Sequence, residues 1–167
     1  MRLAVFFAST LLACGGAAAR EQVARPGEVL VVGKTGGCGN VFAWRAASDG
    51  KRFLTIRVDA KGAGLSPGGS RRFDLAGEPK EIVVQLETFP NAPADAPYCA
   101  TGAHDTAEVW KAEAGVVTVD LEASPPPDTR FHATLRARDL RFRSADGSRV
   151  FVPTVTIDDV IVGWNPS

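Results

Sequence analysis

The residues best suited to chemistry sit in one long connection, Phe89 to Ala107, "FPNAPADAPYCATGAHDTA". His104 and Asp105 are neighbours there, and an imidazole beside a carboxylate can serve general acid–base catalysis. Tyr98 lies upstream and Trp110 just downstream, so the four form a candidate binding loop. Connections of this length without secondary structure are often functional or disordered. Catalysis would also need a positioned nucleophile or a metal, and the chain has no Gly-x-Ser-x-Gly elbow and no His-Glu-x-x-His pair. The plainer expectation is that Asp105 or nearby backbone hydrogen-bonds His104 and orders the loop. No catalytic residue, metal or cofactor is assigned on this pattern.

A second candidate is a stripe of arginines, Arg136, Arg138, Arg141 and Arg143. The first two alternate with Leu135 and Ala137, the last two with Leu140 and Phe142, so a parity change between the pairs keeps all four on one outer face. Such a row could hold a lipid phosphate or an acidic glycan by charge-assisted hydrogen bonds. The plainer expectation is a solvated face with acidic partners on neighbouring strands. Trp44, Trp110 and Trp164 could stack on sugar rings, but strand tryptophans more often fill a core. Trp44 is expected inward with Phe42, and Trp164 at the end of the last strand. The stretch "VLVVGKT" ends like a phosphate loop, yet Glu28 stands where its first glycine belongs and no helix follows. Gly33 and the glycines flanking Cys38 are expected to form a turn.

Strands have to position these groups. Leu54, Ile56 and Val58 alternate with Thr55, Arg57 and Asp59, and the same period of two recurs in Ile82–Glu87 and Val117–Leu121. That is the pattern of half-buried antiparallel strands. Strands are expected near Val29–Val32, Val41–Arg45, Phe53–Ala60, Arg72–Leu75, Glu81–Thr88, Glu108–Ala112, Val116–Glu122, Phe131–Arg143 and Arg149–Val162. About nine short strands between Gly and Pro turns predict an all-β domain, a two-sheet antiparallel sandwich of immunoglobulin-like or jelly-roll-like type. In the last hairpin a three-residue loop, Ala145-Asp146-Gly147, with Gly147 at positive φ pairs Phe142 with Val150 and Leu140 with Val152. Ala137 then faces Val155, and Leu135 faces Ile157. Pro153 donates no ladder hydrogen bond, so the hairpin is expected to turn a corner there. Asp49-Gly50 repeats the same local turn.

The 167 residues carry 19 basic and 19 acidic side chains. That balance provides no general attraction to nucleic acid or to an anionic membrane, so any electrostatic role has to be local. Arg2, the apolar run Leu3–Ala13 and the small residues after it have the layout of a secretory signal. Leu11-Leu12-Ala13-Cys14 resembles the lipobox of bacterial lipoproteins. The resemblance implies acylation of Cys14 as the first mature residue and, with Gly15 following, delivery to the outer membrane. Ordinary cleavage after Ala17-Ala18-Ala19 is the alternative, leaving a soluble periplasmic or secreted protein. The expected division is 1–13 signal peptide, 14–27 tether and 28–167 one sandwich domain.

Under either route two cysteines remain, Cys38 and Cys99, and an even pair in an oxidising compartment predicts a disulfide. A metal site from Cys38, Cys99, His104 and His132 is the alternative, but these lack the close paired spacing of zinc ligands. The leading functional expectation is a non-enzymatic envelope protein, lipid-anchored, that binds a cell-envelope protein, a glycan or another anionic ligand. An envelope hydrolase using His104 and Asp105, or a structural subunit of an envelope assembly, are the alternatives.

Overall fold

A computed structural model of the chain describes residues 27–91, 98, 99, 106, 108–123 and 130–163. The described residues form eight strands, β1 (Thr35–Cys38), β2 (Phe42–Ala46), β3 (Arg52–Val58), β4 (Ser70–Asp74), β5 (Ile82–Thr88), β6 (Glu108–Leu121), β7 (Phe131–Arg143) and β8 (Arg149–Val162). All strand-to-strand pairings are antiparallel and follow one path, β1-β2-β3-β5-β6-β7-β8, with β4 on the C-terminal half of β6. The all-β antiparallel expectation holds, and the chain carries the expected disulfide. Hydrogen bonding draws one curled, nearly closed, barrel-like sheet rather than two separate ones. Eight strands replace nine for three reasons. The two segments expected at 108–112 and 116–122 are one long strand, Val29–Val32 makes only an isolated bridge through Glu28, and Thr35–Cys38 pairs as an unexpected strand.

The sheet curls until its ends meet. At one end of the seam Val29 N–H donates to Phe151 O at 2.8 Å and Phe151 N–H to Gly27 O at 2.9 Å; at the other, Gly163 N–H donates to Gly39 O. Between them Arg45 bridges the gap. Its backbone pairs with Leu54, whose side chain is in the core, and its guanidinium donates to the carbonyls of Gly33 and Val32 and, across the seam, to that of Thr156 on β8. A five-donor planar group suits a place where several carbonyls lack strand partners. The expected turn around Gly33 and Gly36 is not what forms. Gly33 N–H is bonded to Ala46 O, and Gly36 lies in β1 opposite Trp44. A Cβ on Gly36 would come within 2.5 Å of the Trp44 indole, so the ring rests directly on the glycine backbone.

The last hairpin has the expected register. Phe142 pairs with Val150, Leu140 with Val152, Ala137 with Val155 and Leu135 with Ile157, and Ser144 N–H closes the turn onto Ser148 O at 3.0 Å with Gly147 at φ 88°. Asp49-Gly50 repeats the local geometry, with Gly50 N–H bonded to Ala47 O and Gly50 at φ 66°. There, however, Ala47 pairs with Arg52, one residue further on. The parity change also falls where expected. Asp139 takes the left-handed conformation, φ 56°, between the pairs Arg138–Thr154 and Leu140–Val152 and so opposite Pro153, and in β6 the register against β7 shifts on both sides of Ala114, the second shift falling at Gly115. Three long strands are thus interrupted at one level, and such irregularities bend strands.

Inside the curl lies a core that includes Leu54, Ile56, Leu86, Val117, Val119, Leu135, Leu140, Phe142 and Ile157, each almost fully inaccessible. Each such side chain stabilises the fold by about 1.5–3 kcal/mol.

Candidate functional site

Both faces of β3 are buried from Phe53 to Ile56. Leu54, Ile56 and Val58 enter the core, and Phe53 and Thr55, which point the other way, are covered as well. The cover is the start of the long connection. Phe89 and Tyr98 pack with Phe42, Trp44, Ala46 and Phe53 in a second apolar cluster on the outer face of β2 and β3. Tyr98 is its hub, with ring centroids 5.4 Å from Phe42, 5.8 Å from Trp44 and from Phe53, and 6.3 Å from Phe89. Tilted and edge-on pairs of this kind contribute about 0.5–1.5 kcal/mol each beyond area burial.

A polar lock sits inside this cluster. Tyr98 Oη donates to Glu87 Oε2 at 2.9 Å, and Thr55 Oγ1 donates to Glu87 Oε1 at 3.2 Å, so each carboxylate oxygen of Glu87 takes one hydrogen bond. Burial, followed by the charge of Glu87 and the hydrogen bond to it, raises the Tyr98 phenol above the ordinary tyrosine range. The next residue, Cys99, is bonded to Cys38 at the end of β1, across 61 residues of sequence. Disulfide, phenol and aromatic contacts hold this part of the connection at three points.

Beside the disulfide opens a cleft of about 570 Å³ whose walls include Asn40, Phe42, Arg57, Asp59 and Tyr98. The Arg57 guanidinium lies 5.2 Å from the centre of the Phe42 ring, a cation–π contact at an exposed site. Aromatic walls, a guanidinium, a carboxylate and an amide can recognise a polar ligand with an apolar face. The described lining of this cleft contains no histidine, no serine and no free thiol.

The other candidate residues are dispersed. Trp110 lies opposite Leu86 and packs against the main core, away from the cleft. Cys14, His104, Asp105 and Trp164 lie outside the described residues. Trp44 and Phe42 do share a face, but it is the outer face beneath the long connection rather than the main interior. The metal alternative loses both thiols to the disulfide, and His132, exposed on the outer face, pairs through Nδ1 with Asp159.

All four arginines of the stripe are exposed on the outer face, and two have the cross-strand acidic partners of a solvated sheet. Arg136 pairs with Asp120, and Arg143 Nε with Glu113 at 2.7 Å. The irregularity at Asp139 separates the stripe into Arg136 and Arg138, in register with Thr156 and Thr154, and Arg141 and Arg143, in register with Phe151 and Arg149. Phe53, Thr55, Glu87 and Phe89 are not singled out by the sequence patterns above. A signal for Phe53 and Thr55 is the unbroken run "FLTI" at Phe53–Ile56, which marks a strand covered on both faces.

Compared with known proteins, the chain matches no family model, no curated protein and no solved structure.

Proposed function

We propose that the chain is an exported, lipid-anchored envelope protein whose domain binds a ligand or partner without catalysing its conversion, and that the cleft beside Cys38–Cys99 is where it binds. The supporting observation is the triple fixation of Tyr98 and Cys99 against β1, β2, β3 and β5. Residues held this way enter binding with their ordering cost already met, which favours affinity. The cleft offers Phe42 and Tyr98 as apolar walls and Arg57, Asp59 and Asn40 as polar contacts, a mixture suited to a glycan or to a peptide segment of an envelope protein. The interrupted level through Gly115, Asp139 and Pro153 gives the curled sheet two flanks facing each other across the core, the sense in which we read it as sandwich-like.

The test is in-cell crosslinking of the full chain followed by its purification, comparing wild type with Asn40→Ala/Arg57→Ala. Loss of a specific crosslinked species at unchanged melting temperature supports the cleft. An identical crosslinking pattern in the variant overturns it.

A further inference from the structure

Lys111, Arg143 and Arg149 occupy directly opposed positions on β6, β7 and β8, Lys111 against Arg143 and Arg143 against Arg149. Like charges placed opposite one another destabilise a sheet. Folding alone therefore gives no reason for three cations in one row. All three are exposed, as is Arg141, which lies opposite Phe151. The carboxylate set against them is Glu113, shared between Arg143 Nε at 2.7 Å and Arg149 Nε at 3.3 Å. Lys111 and Arg141 have no ion-pair partner among the described residues. Asp146 accepts from the Ser144 hydroxyl and the Ser148 N–H of its own turn, while Glu28 lies opposite Phe151 and Glu78 lines a depression shared with Lys111 and Arg143. Two of the four cations, Lys111 and Arg141, thus make no ion pair among the described residues, on a chain whose formal charge is zero.

The position of this patch relative to the chain matters as much as its charge. Gly27, the first described residue, lines the same depression of about 430 Å³ as Arg141, Arg149 and Phe151. Its carbonyl accepts from Phe151 N–H at 2.9 Å. The polypeptide from Cys14 therefore enters the fold beside the cations. A connection of about a dozen residues reaches at most ~45 Å when fully extended.

We propose that this patch is the face the domain lays on an anionic lipid surface, with Lys111, Arg141, Arg143 and Arg149 against headgroup phosphates. The location rests on the reading of Cys14 as a lipid anchor; the chemistry rests on the cation row. An anchor entering beside the patch turns that face toward the bilayer, where each cation strengthens binding about fivefold. The attraction is screened over ~10 Å at 0.1 M salt. The disulfide cleft is built by other strands, β1 to β3, so the two sites do not share residues.

The test uses the exported chain carrying Cys14→Ser, hence without acyl groups, sedimented with vesicles of phosphatidylcholine alone or of equal parts phosphatidylcholine and phosphatidylglycerol. The expected result is salt-sensitive binding to the anionic vesicles only. Lys111→Ser/Arg141→Ser is expected to weaken it about 25-fold, the product of two cations, at an unchanged or raised melting temperature. Equal binding to both vesicle types, equal binding by the variant, or capture by soluble polygalacturonate in place of vesicles overturns the proposal. Intact mass of the wild-type chain extracted from its own membranes reads the anchor separately. An unacylated Cys14 overturns the anchor, whereas an acylated chain whose Cys14→Ser form ignores anionic vesicles overturns the patch alone.

Discussion

The Tyr98 hydroxyl donates to Glu87 Oε2 at 2.9 Å, which ties a residue of the long connection to a strand that precedes it rather than to its own loop. Thr55 holds the other oxygen of the same carboxylate from the adjacent strand. Tyr98→Phe keeps the ring contacts but deprives Glu87 of one donor. Hydrogen bonds to charged groups contribute about 1.5–3 kcal/mol, and half-burial places this one at the lower end. Urea unfolding of Tyr98→Phe should show a loss of about 1.5 kcal/mol, and an unchanged midpoint would mean that water replaces the phenol.

The Cys38–Cys99 bond closes a loop of 61 residues. By the chain-entropy account a loop of that size stabilises the fold by about 4 kcal/mol. Cys38→Ser/Cys99→Ser should lower stability by that order and expose Trp44 to iodide quenching, because the chain covering it is released at one of its three fixings. Full protection of Trp44 in the double variant would show that Tyr98 and Phe89 hold the cover unaided.

Gly115 and Gly147 separate two uses of glycine. At Gly115, φ 124°, a Cβ would meet Leu140 at 2.8 Å and the Arg138 carbonyl at 3.0 Å, whereas at Gly147, φ 88°, it would meet nothing within 4 Å. Gly147→Ala should cost about 1 kcal/mol, the price of a left-handed alanine. Gly115→Ala should cost about 3 kcal/mol, since backbone strain and close contact add. Thermal melts of the two variants check the order; equal effects would remove the interruption at Gly115 as a packing constraint.

Arg45 spans the seam to the Thr156 carbonyl while also serving Gly33 and Val32. Arg45→Met leaves those carbonyls without this donor and should destabilise the protein by about 2 kcal/mol. Hydrogen exchange should quicken along β1 and the C-terminal half of β8, with β6 and the C-terminal half of β7 unaffected. Uniform acceleration across the sheet would argue that Arg45 does not close the seam in particular.

Much of the β7–β8 hairpin was legible because alternation, a Gly147 turn and Pro153 all act within a short span of sequence, and both strands run over the residues expected. The outward direction of Arg136, Arg138, Arg141 and Arg143 followed from the same alternation. Periodicity fixes which side chains share a face but not what covers it, so the face of Phe42 and Trp44 was assigned to the main interior although a distant segment buries it. Trp110 was drawn toward the loop by proximity in sequence, while its pairing with Leu86 turns it to the core. The cation row needed the register between β6, β7 and β8, because Lys111, Arg143 and Arg149 come together only across strands. His104 and Asp105 lie outside the described residues.

Tyr98, held by Glu87 and the aromatic cluster beside the disulfide, is the sole tyrosine of the chain, so its ionisation can be read without overlap. Burial, then the charge and hydrogen bond of Glu87, favour the neutral phenol in the folded state. The folded pKa therefore lies above the unfolded value of about 10. Its contribution to stability is complete below that pH and is lost as the pH rises further. In an alkaline titration of the oxidised protein, phenolate absorbance should stay absent through pH ~10 and appear only together with loss of the near-ultraviolet circular dichroism of the fold. Phenolate appearing near pH ~10 while that signal is intact would contradict the Tyr98–Glu87 lock and the preorganised cleft built on it.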